Sequence, residues 1–352
     1  MRILALDLGK FKSVWCDYQA DGGKHRFGKI NTTPAEVRDL LAELRPDRLV
    51  IEVGNSSGWV HDLAVEMNIE VQVANVGQES WRWKNRKTKT DRKDAEKLGK
   101  DSAGNELETV HMPKPAVRQW RGLIQYRQTL VSRRTQIKNA IRALLDSQGL
   151  KMPSGRKAWT QAGVKQLAEL ALPLGEASET QLWRGMLDNE LKALQQIEEQ
   201  LAPVEAKLDQ KAQATERVRL LKTVPGVGTR LAETVVAMID DPKRFTRGRQ
   251  VGCYAGLTPR KWQSGTMDRQ GHISGCGNRT LRSLLVEVSW LGLRHNPWMR
   301  EIYERVRRGS DKRKKIAITA VARRLLVVLW AMLRDGTSWK PRLAVTEANA
   351  AG

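Results

Sequence analysis

Apolar positions along the first hundred residues alternate between the period of a strand and the period of a helix. Short runs of alternating or continuous apolar residues predict strands, and amphipathic stretches between them predict helices. The predicted strands lie at about 2–8, 12–19, 24–31, 48–53 and 69–75, and the predicted helices start near 32–34, near 58 and after the basic segment that follows the last strand. Three strands therefore come first, and strand and helix alternate afterwards.

This βββαβαβα order is typical of the ribonuclease-H-like fold. In such a sheet the first strand is central and the fourth strand lies beside it. We therefore expect Asp7, in the apolar run RILALDLG, to lie next to Glu52, at the end of the apolar run RLVIEVG. Asp91 and Asp94 are three residues apart and share one face of the following helix, which is expected to pack beside them.

Long polar helices are predicted from about residue 115 to residue 215. Apolar residues recur every seven positions in two segments, at Leu123, Leu130, Ile137 and Leu144 and at Leu187, Leu194, Leu201 and Leu208. The heptads predict an antiparallel helical pair or a coiled coil between protomers. Pro203 is expected to kink or end the second helix, because proline removes a backbone donor. The arginines of the first helix fit either a solvated face or a nucleic-acid contact.

The third part of the chain begins near Leu220. The sequence VPGVG at 224–228 stands between two helical stretches and matches the turn of a helix-hairpin-helix, whose glycines let backbone N–H groups approach a phosphate. A plain tight turn between packed helices would need similar residues. The apolar stretch Ile316–Leu333 carries Arg323 and Arg324 at its centre, so it is predicted to be a buried core helix rather than a membrane span.

The charge of the chain predicts a polyanionic partner. The 352 residues contain 61 lysines and arginines against 39 acids, which gives a net charge of +22. Folding requires no such excess, and a nucleic acid is the partner that best explains it. The three cysteines have no metal-site spacing, and the N-terminus has no signal-peptide pattern, so a reduced cytoplasmic compartment without a membrane partner is expected.

The basic segment from Trp81 to Lys100 surrounds Asp91 and Asp94 with nine lysines or arginines. Carboxylates in a phosphate-attracting field usually hold metal, and Mg²⁺ prefers hard oxygen donors. With Asp7 and Glu52 they would suffice for phosphodiester chemistry with two metal ions. Each acid alone has an equally good structural role, as a turn residue at Asp7, a helix-cap partner at Glu52, or an N-cap at Asp91. Together they favour a metal site, since a charged aspartate in an apolar strand is costly unless it is compensated.

A second candidate centre is Ser264, in what the sequence predicts to be a glycine-rich basic loop after Pro259. A serine hydroxyl can attack phosphorus and hold a DNA strand as a phosphoserine ester if a metal or a base removes its proton. The alternative is a loop that only binds phosphate. His272 is a candidate base, but only by its proximity along the chain.

Seven motifs follow one another along the sequence: LALDLGK, IEVGNSSGW, KTKTDRKDAEKL, VPGVG, YAGLTPRKWQSG, GHIS and GNRTLR. Their order resembles that of the DEDD-type insertion-sequence transposases, which are similar to the Piv DNA invertases and include the bridge-RNA-guided recombinases. The resemblance covers nearly the whole chain and is weakest in the helical middle. One departure is the stretch Ser274–Asn278, where the family pattern has basic residues and this sequence has none, so phosphate contacts are not expected there.

The resemblance implies an α/β plus α chain with three parts. Residues 1–112 would be a RuvC-like metal-binding domain, 113–215 a helical coiled-coil region, and 216–352 a mainly helical C-terminal transposase domain with a helix-hairpin-helix. By the same resemblance the Mg²⁺ site would be formed by Asp7, Glu52, Asp91 and Asp94, and the nucleophile would be Ser264. Contacts to nucleic acid are expected at Lys87, Lys89, Arg92, Lys93, Arg127, Arg134, Gly226, Gly228 and Lys261.

The family also implies a function and partners. Such a protein would cut and rejoin target and donor DNA at specific sites, with a structured noncoding guide RNA selecting both. The active site would be a composite of different protomers in a tetramer, a dimer of dimers, associated with the nucleoid of a prokaryote.

Three other classes are weighed against this function. A Holliday-junction resolvase or nuclease would use the four acids with metal-activated water and would not need Ser264. A binding protein would keep the acids as structural remnants and cleave nothing. An actin-like ATPase also begins with a DLG strand, but the later phosphate-binding glycine loops are missing from the sequence.

Overall fold

The computed structural model of the protein describes residues 1–22, 25–75, 90–264 and 267–340. Among the predicted nucleic-acid contacts, Lys87, Lys89 and the side chain of Lys261 lie outside the described residues. The chain packs as two compact units, Met1–Arg118 and Gln119–Gly352. The fold class is mixed α/β, as predicted, with one large sheet in the first unit and mostly helices in the second.

The first unit is built on a five-stranded sheet with the order β3-β2-β1-β4-β5. β1 pairs antiparallel with β2 and parallel with β4, so the first strand is central, as the sequence predicted. β2 and β3 pair antiparallel, and β4 and β5 parallel. The strands are β1 (Arg2–Asp7), β2 (Lys12–Gln19), β3 (Arg26–Asn31), β4 (Arg48–Glu52) and β5 (Glu70–Ala74).

Helices cover both faces of this sheet: α1 (Pro34–Leu44), α2 (Ser57–Glu66) and α3 (Asp91–Ala103). Successive side chains of a strand point to opposite faces. Leu4 and Leu6 of β1 accordingly join one core with α1 and α2, while Ile3 and Ala5 join a second core with α3. The core under α3 is the one that borders the predicted acids, because β1 ends at Asp7.

The second unit contains nine described helices and one hairpin, with α4 starting just before the unit boundary. The helices are α4 (Pro115–Ser147), α5 (Gln161–Leu170), α6 (Leu182–Ala214), α7 (Glu216–Leu221), α8 (Thr229–Ile239), α9 (Gly248–Tyr254), α10 (Arg279–Gly292), α11 (Pro297–Arg307) and α12 (Lys314–Asp335). The hairpin consists of β6 (Pro259–Ser264) and β7 (Met267–Ile273), which pair antiparallel. The predicted loop around Ser264 was therefore wrong, because residues 259–264 form a strand.

The two long helices α4 and α6 lie antiparallel within one chain. Leu130 of α4 packs with Ile197 and Leu201 of α6, and further along the pair Ile141 packs with Leu187 and Leu194 in a separate cluster. α6 continues through Pro203 without ending there, contrary to one of the two expectations for this residue. The buried leucines on both sides of Pro203 hold the helix together although one backbone hydrogen bond is lost, at a cost of about 3 kcal/mol.

α12 is long and apolar enough to cross a membrane by composition. In the structure it is the central helix of the largest core. Val321, Leu325, Leu326 and Leu329 are fully buried in that core together with residues of α8, α10 and α11. The packing confirms the prediction of a core helix.

Candidate functional site

Two of the predicted acids are placed by adjacent parallel strands. Leu6 of β1 is in register with Ile51 of β4, and the next residues along the strands are Asp7 and Glu52. Since side chains alternate between faces, Asp7 continues the face of Ala5, and Glu52 continues the face of Val50. Ala5 and Val50 are both fully buried in the core that α3 covers. Asp7 and Glu52 therefore extend that face beyond its apolar part, where both side chains are half-buried.

The other two acids lie in the first turns of α3. Ala95 and Leu98 pack on the sheet, and Asp91 and Asp94 precede them by one helical turn on the same side. Asp94 is 4% exposed, whereas Asp91 is exposed. Thr90 is the N-cap, with its side chain accepting from the Lys93 N–H. The alternative of Asp91 as the N-cap is therefore wrong, and both aspartates lie at the positive end of the helix dipole.

All four acids line one pocket of about 370 Å³, together with Gly9, Lys12 and Val14. The sequence analysis had not singled out Gly9 and Lys12, although Gly9 ends the DLG run and Lys12 follows it closely, which was a usable signal. A Cβ on Gly9 would lie 2.1 Å from the Lys12 carbonyl oxygen, so the turn from β1 to β2 requires glycine. The Thr32 hydroxyl fixes this turn by donating to the Gly9 carbonyl at 2.9 Å.

The donor set of the pocket fits Mg²⁺. It offers four carboxylates and neither thiol nor imidazole, and hard carboxylate oxygens are what Mg²⁺ prefers over softer metals. Among the described residues, no three acidic, histidine or cysteine side chains converge closely enough to surround a single ion. The four acids therefore form the wall of an open pocket rather than a closed structural metal site. Lys12 adds a cation that favours a phosphate at the same place.

Ser264 is the last residue of β6, opposite Met267 of β7. Its side chain is exposed, and it makes no hydrogen bond to any side chain that the structure describes. His272 lies at the other end of the hairpin, next to Ile273, which pairs with Pro259. At about 3.3 Å per residue, His272 is roughly 16 Å along β7 from Met267. His272 is therefore too distant to serve Ser264 of the same chain, and its candidacy as the base was wrong.

The VPGVG turn joins α7 to α8. Gly226 has a φ of +92°, and a Cβ there would lie 3.2 Å from the Gly292 Cα in α10. Asn296 reinforces the turn by donating to the Pro225 carbonyl at 3.1 Å. Packing thus explains why position 226 requires glycine, and the contact of Gly226 with phosphate stays a prediction. Gly228 is the exposed N-cap of α8, and its contact with phosphate stays a prediction.

The predicted basic contacts on α3 and α4 have partners inside the protein. Arg127 pairs with Glu205 at 2.7 Å and Arg134 with Glu198 at 3.2 Å, both between α4 and α6. The Arg92 guanidinium lies 4.8 Å from the centre of the Phe27 ring. These contacts give Arg127 and Arg134 a structural role, and their contact with nucleic acid stays a prediction, as does that of Arg92 and Lys93.

Two transposase family models match the chain. Residues 4–149 match a model described as "Transposase", of the DEDD IS110 type, and residues 218–304 match one described as "Transposase IS116/IS110/IS902 family". A putative transposase, y4rJ, of Sinorhizobium fredii is 28% identical over 95% of this chain and 92% of its own length. The transposase for insertion sequence element IS1111A of Coxiella burnetii is 27% identical over 95% and 90%. The pilin gene-inverting protein of Moraxella lacunata is 30% identical over 36% of this chain and 40% of its own length.

These matches, with the acid-lined pocket on a mixed sheet, define a transposase, an enzyme that cleaves and rejoins DNA. The chain belongs to the IS110/IS116 transposase family. The alternative of a binding protein that cleaves nothing is therefore wrong. The first model ends just after α4 and the second begins in α7, so each of the two candidate centres falls within a matched region.

Proposed function

We propose that this transposase is a site-specific recombinase that excises and inserts its own element through a phosphoserine intermediate, with Ser264 as the nucleophile and Mg²⁺ held by Asp7, Glu52, Asp91 and Asp94. The observation that carries the proposal is the single pocket lined by these four acids, which come from β1, β4 and α3. Four like charges brought into one pocket repel one another unless a cation compensates them. Four carboxylates on one wall suit a cation and the phosphate that the cation attracts.

The chemistry divides between the two centres. Bound Mg²⁺ would stabilise the negative charge that develops on the attacked phosphate and on the leaving oxygen. Lys12 would hold the phosphate at the mouth of the pocket through its charge. The Ser264 Oγ–P bond forms while the P–O bond to the leaving strand breaks, and the serine proton is balanced by the proton gained at the leaving oxygen. Attack by the hydroxyl of another strand then reverses this step and frees Ser264 with the strands exchanged.

Ser264 would meet the acids of a different protomer, in a tetramer arranged as a dimer of dimers. Two observations support this composite arrangement: Ser264 is exposed at the end of a hairpin, and the nearest histidine along the chain, His272, lies at the opposite end. With His272 too far along β7 to reach Ser264, the proton of the serine would pass to a group outside this end of the hairpin or to one held at the acids. Mixing Ser264→Ala and Asp7→Asn protomers tests the arrangement, because some mixed tetramers would contain one intact composite site. As a control, each variant is also mixed with wild-type protein, and these mixtures should cleave. If they cleave and the mixture of the two variants does not, the sites are formed within one protomer.

A guide RNA would select target and donor DNA, so that base pairing rather than the protein reads the sequence. The net charge of +22 supports a protein that holds RNA and DNA together. The test is to purify the protein from cells that carry its element and to sequence the RNA bound to it. One abundant RNA encoded beside the gene is the expected result, and only random cellular RNA would overturn this part of the proposal.

The phosphoserine intermediate is tested by trapping. Wild-type protein incubated with element-end DNA and Mg²⁺ should give a protein–DNA adduct that survives SDS. Ser264→Ala should abolish the adduct, and Asp7→Asn should abolish it through the loss of a metal ligand. Ser274→Ala is the matched control, a serine of the same module next to the other end of the hairpin, and should form the adduct normally.

A resolvase that uses metal-activated water is the second candidate. It is favoured by the fact that the described residues that line the acid pocket all lie between positions 7 and 94, in the first unit. Full strand cleavage by Ser264→Ala would support the resolvase and would refute the phosphoserine recombinase. Loss of cleavage in Ser264→Ala together with retained Mg²⁺ binding, measured by calorimetry, would separate a missing nucleophile from a damaged pocket.

A further inference from the structure

A polar groove of about 450 Å³ runs between α4 and the first turn of α10, entirely within the second unit. The described residues of its lining carry amide, hydroxyl and guanidinium side chains: Gln125, Gln128, Thr129, Ser132, Arg133, Gln136, Arg279, Thr280 and Ser283. Among these described residues there is no acid and no apolar residue. Protein surfaces usually mix the two charges, so an acid-free groove with two arginines selects for an anionic ligand.

The α4 side of the groove is one continuous helix face. Counted from Gln125, its other residues come three, four, seven, eight and eleven positions later, which is the spacing of a single stripe along a helix. The opposite side of α4 carries Leu130 and Ile141, which are buried against α6. The Thr280 hydroxyl donates to the Gln125 amide oxygen at 2.8 Å and joins the two walls of the groove. The groove is therefore a fixed feature of the fold and not a gap between loosely placed side chains.

Most arginines of α4 make hydrogen bonds or ion pairs with other parts of the protein, and one does not. Arg121 donates to the Ala237 and Met238 carbonyls, and Arg127 and Arg134 pair with glutamates of α6. Arg133 is exposed, and it has no ion pair or hydrogen-bond acceptor among the side chains that the structure describes. The same holds for Arg279, which is exposed at the start of α10. The two arginines of the groove are thus available for a ligand, whereas their neighbours on α4 already have partners inside the protein.

We propose that this groove binds the phosphodiester backbone of a nucleic acid, with Arg133 and Arg279 as its phosphate contacts. The guanidinium group matches phosphate geometry with two parallel donors. The start of α10 adds the positive end of a 14-residue helix beside Arg279. The glutamine, serine and threonine side chains supply neutral donors and acceptors for sugar and phosphate oxygens, the groups that receive most protein–nucleic-acid hydrogen bonds. The inference rests on the proposed function only for the nature of the ligand.

The test measures binding by the full chain, not cleavage. Fluorescence anisotropy with a labelled single-stranded RNA and with a labelled DNA duplex gives affinity at several salt concentrations. The double variant Arg133→Gln/Arg279→Gln should bind about tenfold or more weakly near 0.1 M salt. Because two phosphate contacts are lost, the slope of log affinity against log salt should fall by roughly 1.8 for duplex DNA or 1.4 for a single strand.

A charge-matched control separates the groove from general electrostatics. Arg156→Gln/Lys165→Gln removes two exposed cations of the same unit outside the groove and should change affinity much less. Gln136→Glu is a nearly isosteric change that puts an acid into the groove and should weaken binding, whereas Gln210→Glu on exposed α6 surface should not. These variants change exposed side chains, and unchanged thermal melting would confirm that they fold.

The outcome also identifies the ligand. A loss confined to RNA assigns the groove to RNA, and a loss confined to DNA assigns it to DNA. Equal losses for the groove variant and the control, on both nucleic acids, would overturn the proposal. A failure of the proposed function is distinguishable, because missing cleavage or a missing phosphoserine adduct would leave these binding differences unchanged.

Discussion

The close approach of α3 to the sheet fixes the distance between the two pairs of acids, and Gly99 permits that approach. A Cβ added at Gly99 would lie 2.8 Å from the Tyr18 Cβ and 3.0 Å from its Cγ. Tyr18 is in register with Ile3, and it belongs to the same core as Ala95 and Leu98. Any side chain at Gly99 therefore pushes α3 away from β1 and β2, and with it Asp91 and Asp94.

The displacement follows from ordinary contact distances. Carbon atoms are comfortable at about 3.5–4.0 Å, so Gly99→Ala must open the interface by roughly 1 Å. Alanine gains about 1 kcal/mol of helix propensity over glycine, and overpacking costs about 1–3 kcal/mol. The free energy of unfolding should therefore fall by no more than about 2 kcal/mol. Catalysis is more sensitive, because a misplacement of about 1 Å at a reacting centre can cost on the order of 100-fold.

The assay compares single-turnover cleavage of element-end DNA in Mg²⁺ with urea unfolding of the same samples. Gly104→Ala is the control on the same helix: its Cβ would meet nothing closer than 3.6 Å, and the backbone there has a φ of −80°. We expect Gly99→Ala to lose about 100-fold in cleavage rate and Gly104→Ala to keep it. Wild-type cleavage by Gly99→Ala would refute the claim that the spacing of α3 from the sheet sets the geometry of the acid pocket.

Three further predictions concern single side chains. Burial raises the pKa of Cys16 to about 12, so this thiol should not react in the native protein. An aromatic disulfide reagent at pH 8 should therefore react rapidly with the two exposed thiols, Cys253 and Cys276, and with the third only after unfolding. Burial also raises the pKa of Glu233 above 4.5 despite its pairing with Arg230. The native state then binds more protons than the unfolded state, so the free energy of unfolding should fall as pH rises above about 4.5, and Glu233→Gln should flatten that fall in urea titrations. Leu130→Ala should lower the free energy of unfolding by about 2–5 kcal/mol in the same assay, because Leu130 is fully buried. Leu182 is exposed, so Leu182→Ala should change the free energy of unfolding by no more than about 0.5 kcal/mol.

The first unit could be predicted closely because its signals are local. Each strand of the sheet has its own apolar run, and the acids mark the ends of two such runs. Asp7 and Glu52 could be paired from the expected strand order alone, and the observed register places them side by side. The role of Thr90 as N-cap was harder to foresee, because aspartate is preferred over threonine at that position and Asp91 comes directly after it.

The second unit was less predictable because its decisive contacts are distant in sequence. The hairpin of β6 and β7 lies in a segment rich in glycine and polar residues, which is typical of loops, and only pairing between the strands makes it regular. The partner of Arg134 is Glu198, 64 residues away. No local sequence pattern shows that Arg134 has this partner and that Arg133, its neighbour on a different face of α4, has none among the described side chains. Heptads predicted that two helices pack, but not which arginines the packing would use.

The two candidate centres belong to different units of the chain, and this has a consequence for control of the reaction. The acid pocket is held by contacts among β1, β4 and α3, all within the first unit, and the Ser264 hairpin is held by the pairing of β6 with β7 in the second. Each centre can therefore be fully formed while neither alone completes the proposed phosphoserine chemistry. If Ser264 meets the acids of another protomer, cleavage becomes a property of the assembled tetramer, and its rate rises more steeply than linearly with protein concentration. An enzyme that cuts its host's DNA gains from that dependence, since an isolated protomer bound to DNA then holds the strand without breaking it.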